Sequence, residues 1–289
     1  MKQRLLTAAF LAVLYVGLII PALTVNPIFY DVLVLIFMFT ASYEMIRVIQ
    51  NKFAKPVEAL VYVQVIIAYI AFRVANHFGQ GNWGISACFG SLIIMIVVGF
   101  VYNMLSKKYT MANIISTLFI MIYPLSLLSY LLAINYVGDL YRGAGIVFAF
   151  GVTSLVDSMA LLVGSTLKGP KLLPAVSPNK TISGAIGGLV GGVIGGLAIY
   201  LLSYLNLFNL QLIFTDTLVN ILFYAGMGLG VSIACQAGDL IASYIKRYCA
   251  VKDYSNFLPG HGGFMDRIDG VLVAGIFVFA IFAFLKVII

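Results

Sequence analysis

Residues 243–269 hold four basic side chains (Lys246, Arg247, Lys252 and Arg267) and three acidic ones (Asp253, Asp266 and Asp269), in a chain of which only 9% is charged. Ammonium and guanidinium groups beside carboxylates, with a Leu-Pro-Gly-His-Gly-Gly bend at residues 258–263 between them, suit a site where phosphates and a divalent cation meet. Just upstream, Gly238-Asp239 leads into Ser243. If the helix there continues past the bilayer surface, offsets of four and seven residues put Asp239, Ser243 and Lys246 on one stripe with Arg247 at its edge. One helix face could then hold metal and phosphate together. Asp266 and Asp269, spaced i and i+3, fall on one side of the start of the last helix. An acidic first turn complementing the helix dipole is the plainer reading of that pair.

Two further regions carry polar groups that a membrane helix normally excludes. Asp157, followed by Ser158 and then Gly164, is a carboxylate deep in an apolar run and is costly unless it faces a wet cavity or a cation. Lys168, Lys171 and Lys180 share a segment with Gly169, Pro170, Pro174, Ser177 and Pro178. Turn-forming residues between ammonium groups can wrap a phosphate chain with charge and backbone donors. The candidate metal ligands, Asp239, Asp266 and Asp269, are hard oxygens, which fits magnesium. Zinc fits less well, because the two histidines, His77 and His261, lie far apart. His261, flanked by Gly260, Gly262 and Gly263, either orients a phosphate or caps the turn.

The elements that must position these groups follow from composition. With 62% hydrophobic residues over 289 positions and apolar runs near 20 residues, the chain reads as an all-α polytopic membrane protein forming a single membrane domain. Nine spans are expected, roughly at 5–23, 28–49, 57–74, 85–102, 112–133, 145–163, 182–205, 215–235 and 270–289. Residues 1–135 supply scaffold helices, and 143–289 supply the catalytic helices and loops. The apolar run from Leu5 is too long for a signal peptide, so an uncleaved first helix is expected. With the N-terminus cytoplasmic and the C-terminus opposite, fourteen of the seventeen Lys and Arg residues fall inside, and only Arg73, Arg142 and Lys286 fall outside. That bias puts residues 243–269 on the cytoplasmic side, where nucleotides are available. The net charge of +7 has the ordinary explanation that cytoplasmic loops rest against anionic lipid, and Lys52, Lys55, Lys107 and Lys108 read as orienting charges. Cys88, Cys235 and Cys249 show no paired spacing, which argues against a disulfide framework or a zinc site. The glycine rows Gly184, Gly188, Gly192 and Gly187, Gly191, Gly195 permit close helix approach, either inside the bundle or across a homodimer seam.

From Gly238 to Asp269 the chain resembles the phosphatidate cytidylyltransferase family, also called CDP-diacylglycerol synthase. The family signature is met by Ser243, Lys246, Arg247, Lys252, Asp253, residues 258–263, Asp266, Arg267 and Asp269. Asp157-Ser158 with Gly164, and Ser177-Pro-Asn-Lys180-Thr181 with Gly184, resemble two further family motifs, and Glu44 resembles an acidic position in the second span. The resemblance implies that CTP and phosphatidic acid give CDP-diacylglycerol and pyrophosphate. It assigns catalysis to Asp239, Lys252, Asp253, Asp266 and Arg267, and substrate binding to Ser177, Lys180, Thr181, Ser243, Lys246, Arg247, His261, Gly262 and Gly263. Magnesium would sit on Asp239, Asp266 and Asp269, with room for a second cation. Ser183 and Ala242 stand where the family usually carries glutamate, so two carboxylates are missing. The expected partners are CTP, phosphatidic acid, membrane lipid and a second copy of the chain, with no nucleic acid, in a bacterial inner membrane.

Three rival functions are weighed against this. A CDP-alcohol phosphatidyltransferase needs two more aspartates after Asp269, and none follows. A transporter leaves the basic segment and the signature on one side unexplained. A catalytically silent relative that binds lipid or assists assembly would account for the two absent glutamates.

Overall fold

The computed structural model describes residues 2–79, 83–106, 108–260 and 262–288, with side-chain surroundings described from Val13 onward. Helices account for 79% of it. They are α1 (Lys2–Thr24), α2 (Ile28–Ile49), α3 (Glu58–Phe78), α4 (Gly84–Ser106), α5 (Met111–Ile120), α6 (Leu127–Ile134), α7 (Asp139–Val147), α8 (Thr153–Leu167), α9 (Ile182–Tyr204), α10 (Thr217–Tyr248) and α11 (Met265–Ile288). Turns of π-helix at Met121–Ser126 and Phe148–Val152 join α5 to α6 and α7 to α8, so each pair runs as one span. Among the described residues, eight such helices are long and apolar enough to cross a membrane, and the apolar stretch Val13–Thr24 of α1 is shorter. The protein is an all-α polytopic membrane protein. Among the described residues the one sheet is the hairpin of β1 (Lys171–Leu173) and β2 (Ser177–Thr181), antiparallel, with Lys171 opposite Thr181 and Leu173 opposite Ser177. Three- and five-residue strands carry no periodicity long enough to detect.

The chain divides into two compact units. The first comprises residues 1–18, 30–136 and 246–267. Its core is apolar, with Leu33, Val34, Phe37, Ala41, Met45, Val61 and Leu128 completely buried. Polar contacts fix its helices. Gln64 of α3 donates to the Ser91 hydroxyl of α4 at 3.1 Å, and the Val57 amide donates to Thr117 of α5 at 2.8 Å. At the start of α2, Asp31 is completely buried and accepts from Arg73 at 2.9 Å, Asn135 at 2.8 Å and Tyr136 at 2.6 Å. A buried carboxylate is tolerable because charge and hydrogen bonds both compensate it.

The second unit comprises residues 19–29, 137–245 and 268–289. Its centre is the glycine face of α9, which meets a different neighbour on each row. A side chain at Gly187 or Gly191 would strike Val163 or Met159 of α8. At Gly192 and Gly196 it would strike the backbone of α10 at Gly228 and Tyr224, and Gly188 faces Gln236 and Val156. Both rows are thus filled inside this unit, which is the internal-packing alternative of the two left open above. Small residues bring backbones close enough for van der Waals contact, the main attraction between helices in lipid.

Candidate functional site

In the first unit, the signature is built around two carboxylates. The chain leaves α10 through Ala250, whose φ is 57°, and further on the Leu258 amide donates to the Gly262 carbonyl at 2.9 Å in a short bridge. Asp266, in the first turn of α11, uses both oxygens: Oδ1 accepts from Lys246 Nζ at 2.6 Å, and Oδ2 accepts from the amides of Tyr254 at 2.9 Å and Gly263 at 2.8 Å. Lys246 also lies over the Tyr254 ring at 5.3 Å. Gly262 has φ of 81°, and a Cβ there would sit 2.8 Å from Asp266 Oδ2. The left-handed backbone and the close carboxylate both demand glycine.

The second carboxylate is Glu44, near the end of α2 and 1% exposed. It accepts from the Ser255 hydroxyl at 2.6 Å, the Phe264 amide at 2.9 Å and the Met265 amide at 2.7 Å. A Cβ on Gly263 would fall 2.6 Å from one of its oxygens. Orphan amides at a helix start are thereby satisfied by an anion, the favourable sign for a helix dipole. Lys252, Asp253 and Arg267 are exposed. Arg247 donates to the Val251 carbonyl at 3.3 Å, which closes the turn after α10. His261 lies outside the described residues.

The helix α10 runs unbroken through residues 239–248, well past the expected end at 235, so the stripe inferred from spacing exists. Ser243, buried, donates to Asp239 Oδ1 at 3.3 Å. Asp239 Oδ2 is ion-paired with Lys180, which β2 presents. Thr181 ends that strand and caps α9, its hydroxyl accepting from the Gly184 amide at 3.1 Å. A side-chain cap of this kind stabilises a helix by about 1 kcal/mol. Ser177 pairs with Leu173 in the hairpin. Asp157, Asp239, Asp269 and Lys180 all lie near enough to Cys235 to act on it electrostatically, and Cys235 Sγ is 3.8 Å from Asp157 Oδ1. Three carboxylates and one ammonium group therefore collect around one turn of α10. Hard oxygens of this kind fit magnesium, whose remaining positions water and substrate phosphates normally fill. Among the described residues no three His, Cys, Asp or Glu side chains form a ready-made metal cage.

The two positions expected to lack a glutamate are both taken up structurally. Ser183 donates to the Lys168 carbonyl at 2.5 Å, and Ala242 is completely buried. Sequence reasoning left Glu44 outside the site and gave Ser255 no role. A carboxylate in a membrane helix was a signal for the former; a lone serine in a polar loop gave none for the latter.

Fold and site together define an integral membrane protein with ammonium–carboxylate pairs at the ends of its helices. The cytidylyltransferase family profile matches residues 2–285, and the chain belongs to that family. It is a nucleotidyltransferase. The phosphatidate cytidylyltransferase of Staphylococcus aureus (strain COL) is 31% identical over 281 residues, covering 94% of this chain and 95% of the relative. That of Rickettsia felis (strain ATCC VR-1525 / URRWXCal2) is 32% identical over 186 residues, covering 63% and 76%. That of Brucella abortus biovar 1 (strain 9-941) is 42% identical over 148 residues, covering 48% and 47%.

Proposed function

We propose that the protein transfers the cytidylyl group of CTP to phosphatidic acid, giving CDP-diacylglycerol and pyrophosphate, at the cytoplasmic face of a bacterial inner membrane. The names of the relatives and the placement of Lys and Arg support that reading. The observation that carries it is Lys180 on Asp239, which joins two segments that resemble separate family motifs.

The phosphate of phosphatidic acid is already anionic near neutral pH, so it attacks the α-phosphorus of CTP without a strong general base. A bond forms between that oxygen and the α-phosphorus. The bond from the α-phosphorus to the bridging oxygen breaks, and pyrophosphate leaves with the electron pair. Two anionic substrates must be held in line, so neutralisation is the main demand. Lys180 and Lys246 each rest on a carboxylate, a state in which the protein's own charges are balanced before substrate arrives. When phosphates bind, these ammonium groups can turn to them, along with Arg247, Lys252 and Arg267, while Ser177, Thr181 and Ser243 offer neutral donors. Magnesium, held by Asp239 and Asp269, would supply charge neutralisation on the nucleotide phosphates. The acyl chains stay in lipid, which accounts for a soluble-nucleotide enzyme made almost wholly of apolar helices.

The test is incorporation of CTP labelled at the α-phosphate into lipid by the purified protein, with phosphatidic acid supplied and magnesium varied. Labelled CDP-diacylglycerol and stoichiometric pyrophosphate are expected, both lost on chelation. Lipid that stays unlabelled while phosphatidic acid still binds would favour the silent lipid-binding relative instead.

A further inference from the structure

We infer that Glu44 is a positioning residue for residues 253–264, and that its negative carboxylate, rather than its bulk, sets the course of that loop. The inference rests on the proposed function, because the loop it holds carries the phosphate-binding candidates. Three donors converge on Glu44 from a segment more than two hundred residues away in sequence: the Ser255 hydroxyl, and the amides of Phe264 and Met265 at the entrance to α11. Ser255 in turn accepts from the Phe257 amide at 3.0 Å, so the anchor extends into the loop. On its other side the loop is tied by Asp266, through the amides of Tyr254 and Gly263. Glu44 thus holds both ends of a loop whose middle is Leu-Pro-Gly-His-Gly-Gly.

An ionised carboxylate accepts on both oxygens and has no proton to place among these donors. Oε1 takes two donors and Oε2 takes the third. A glutamine keeps one acceptor oxygen and turns an N–H₂ toward a backbone or hydroxyl donor, leaving at least one buried donor unpaired. Aspartate, one methylene shorter, cannot span the same gap. Glu44 touches no substrate in this account. It acts through the loop, and Gly263 is glycine because the carboxylate comes so close.

The experiment uses the full-length protein in detergent, as wild type, Glu44→Gln and Ser255→Ala, with two readouts. Amide hydrogen exchange is followed in peptides covering residues 253–266, with peptides of α3 and α4 as an internal reference for folding. Steady-state kinetics give KM for CTP separately from kcat. Glu44→Gln is expected to speed loop exchange by about tenfold or more, with α3 and α4 unchanged, and to raise KM for CTP several-fold. Loop exchange and KM both at wild-type values would overturn the inference. So would faster exchange spread evenly over α3 and α4, which marks a general structural role. Should Glu44→Gln fail to fold, Ser255→Ala removes one donor and leaves the backbone pair, and loop exchange is expected to rise by about two- to fivefold. No change there also overturns it. If the wild type transfers no cytidylyl group, the proposed reaction fails, while loop exchange still decides the role of Glu44.

Discussion

Lys246 and Asp266 are bonded at 2.6 Å, and both are largely buried, so the last turn of α10 is clasped to the first turn of α11 by a desolvated ion pair. The same aspartate ties down two loop amides. A residue expected in catalysis and as a metal ligand is the knot of its own loop.

Removing one member of such a pair leaves a buried charge without a partner, which typically costs about 3–5 kcal/mol. Asp266→Asn is expected to abolish turnover and also to lower the thermal midpoint in detergent. Lys246→Met, which removes charge but keeps bulk, should also lose activity and stability, since it leaves the buried Asp266 carboxylate without its cation. A static light-scattering melt run beside the labelled-CTP assay separates the two effects. Near-normal activity in Asp266→Asn would exclude it from catalysis.

The pair in the second unit should behave differently, because Lys180 and Asp239 are both partly exposed and their contribution to folding is small. Lys180→Ala, Asp239→Asn and Lys252→Ala are each expected to insert and melt like wild type. Loss of an oriented charge on the reacting phosphates should lower kcat by about 10²–10³-fold. Activity within a few-fold of wild type in Asp239→Asn would remove the central carboxylate from the proposed mechanism.

Packing of α9 on α10 offers a test independent of chemistry. Gly192→Ala puts a methyl against the Gly228 backbone and the Ser232 side chain and is expected to cost about 1–3 kcal/mol by overpacking. Gly226→Ala, on α10 and with nothing within 4 Å, should be neutral or slightly stabilising, since alanine is the better helix former by up to about 1 kcal/mol. Equal midpoints for the two variants would argue against the close approach.

Cys249, just beyond α10, is buried, and burial raises its thiol above the usual range although Lys52 opposes this. Only the thiolate reacts with alkylating agents, so a raised pKa means a smaller reactive fraction at neutral pH. Cys249 should label slowly at pH 7, and faster as pH rises or once the protein unfolds. Rapid stoichiometric labelling of the folded protein at pH 7 would contradict that burial.

Asp31 gives the clearest structural prediction. It joins Arg73, Asn135 and Tyr136 far from the signature in sequence, and Asp31→Ala should leave several polar partners unsatisfied. A loss of about 2–4 kcal/mol of stability, reduced by the partial exposure of Arg73, is expected and is read as a lower thermal midpoint. KM for CTP in the surviving folded fraction should not change.

Much of this was legible in the residues alone. Apolar runs with the length of a bilayer crossing mark a membrane span whatever their neighbours are, because lipid requires every backbone group to be bonded within its own helix. The stripe of Asp239, Ser243 and Lys246 could be read for the same reason: helical spacing is a local property. The glycine rows announced close contact, yet not with which helix. What α9 touches depends on α8 and α10 being there together, and the hairpin that delivers Lys180 was too short to leave a pattern. Glu44 and Ser255, or Asp31 and Asn135, meet only because separate helices fold against each other, and no spacing rule connects residues a hundred or two hundred positions apart. The sequence determined which groups were available and which stretches lay in lipid; the tertiary structure decided which carboxylate faces which cation, since burial and pairing, unlike helical period, exist only once the chain has closed on itself.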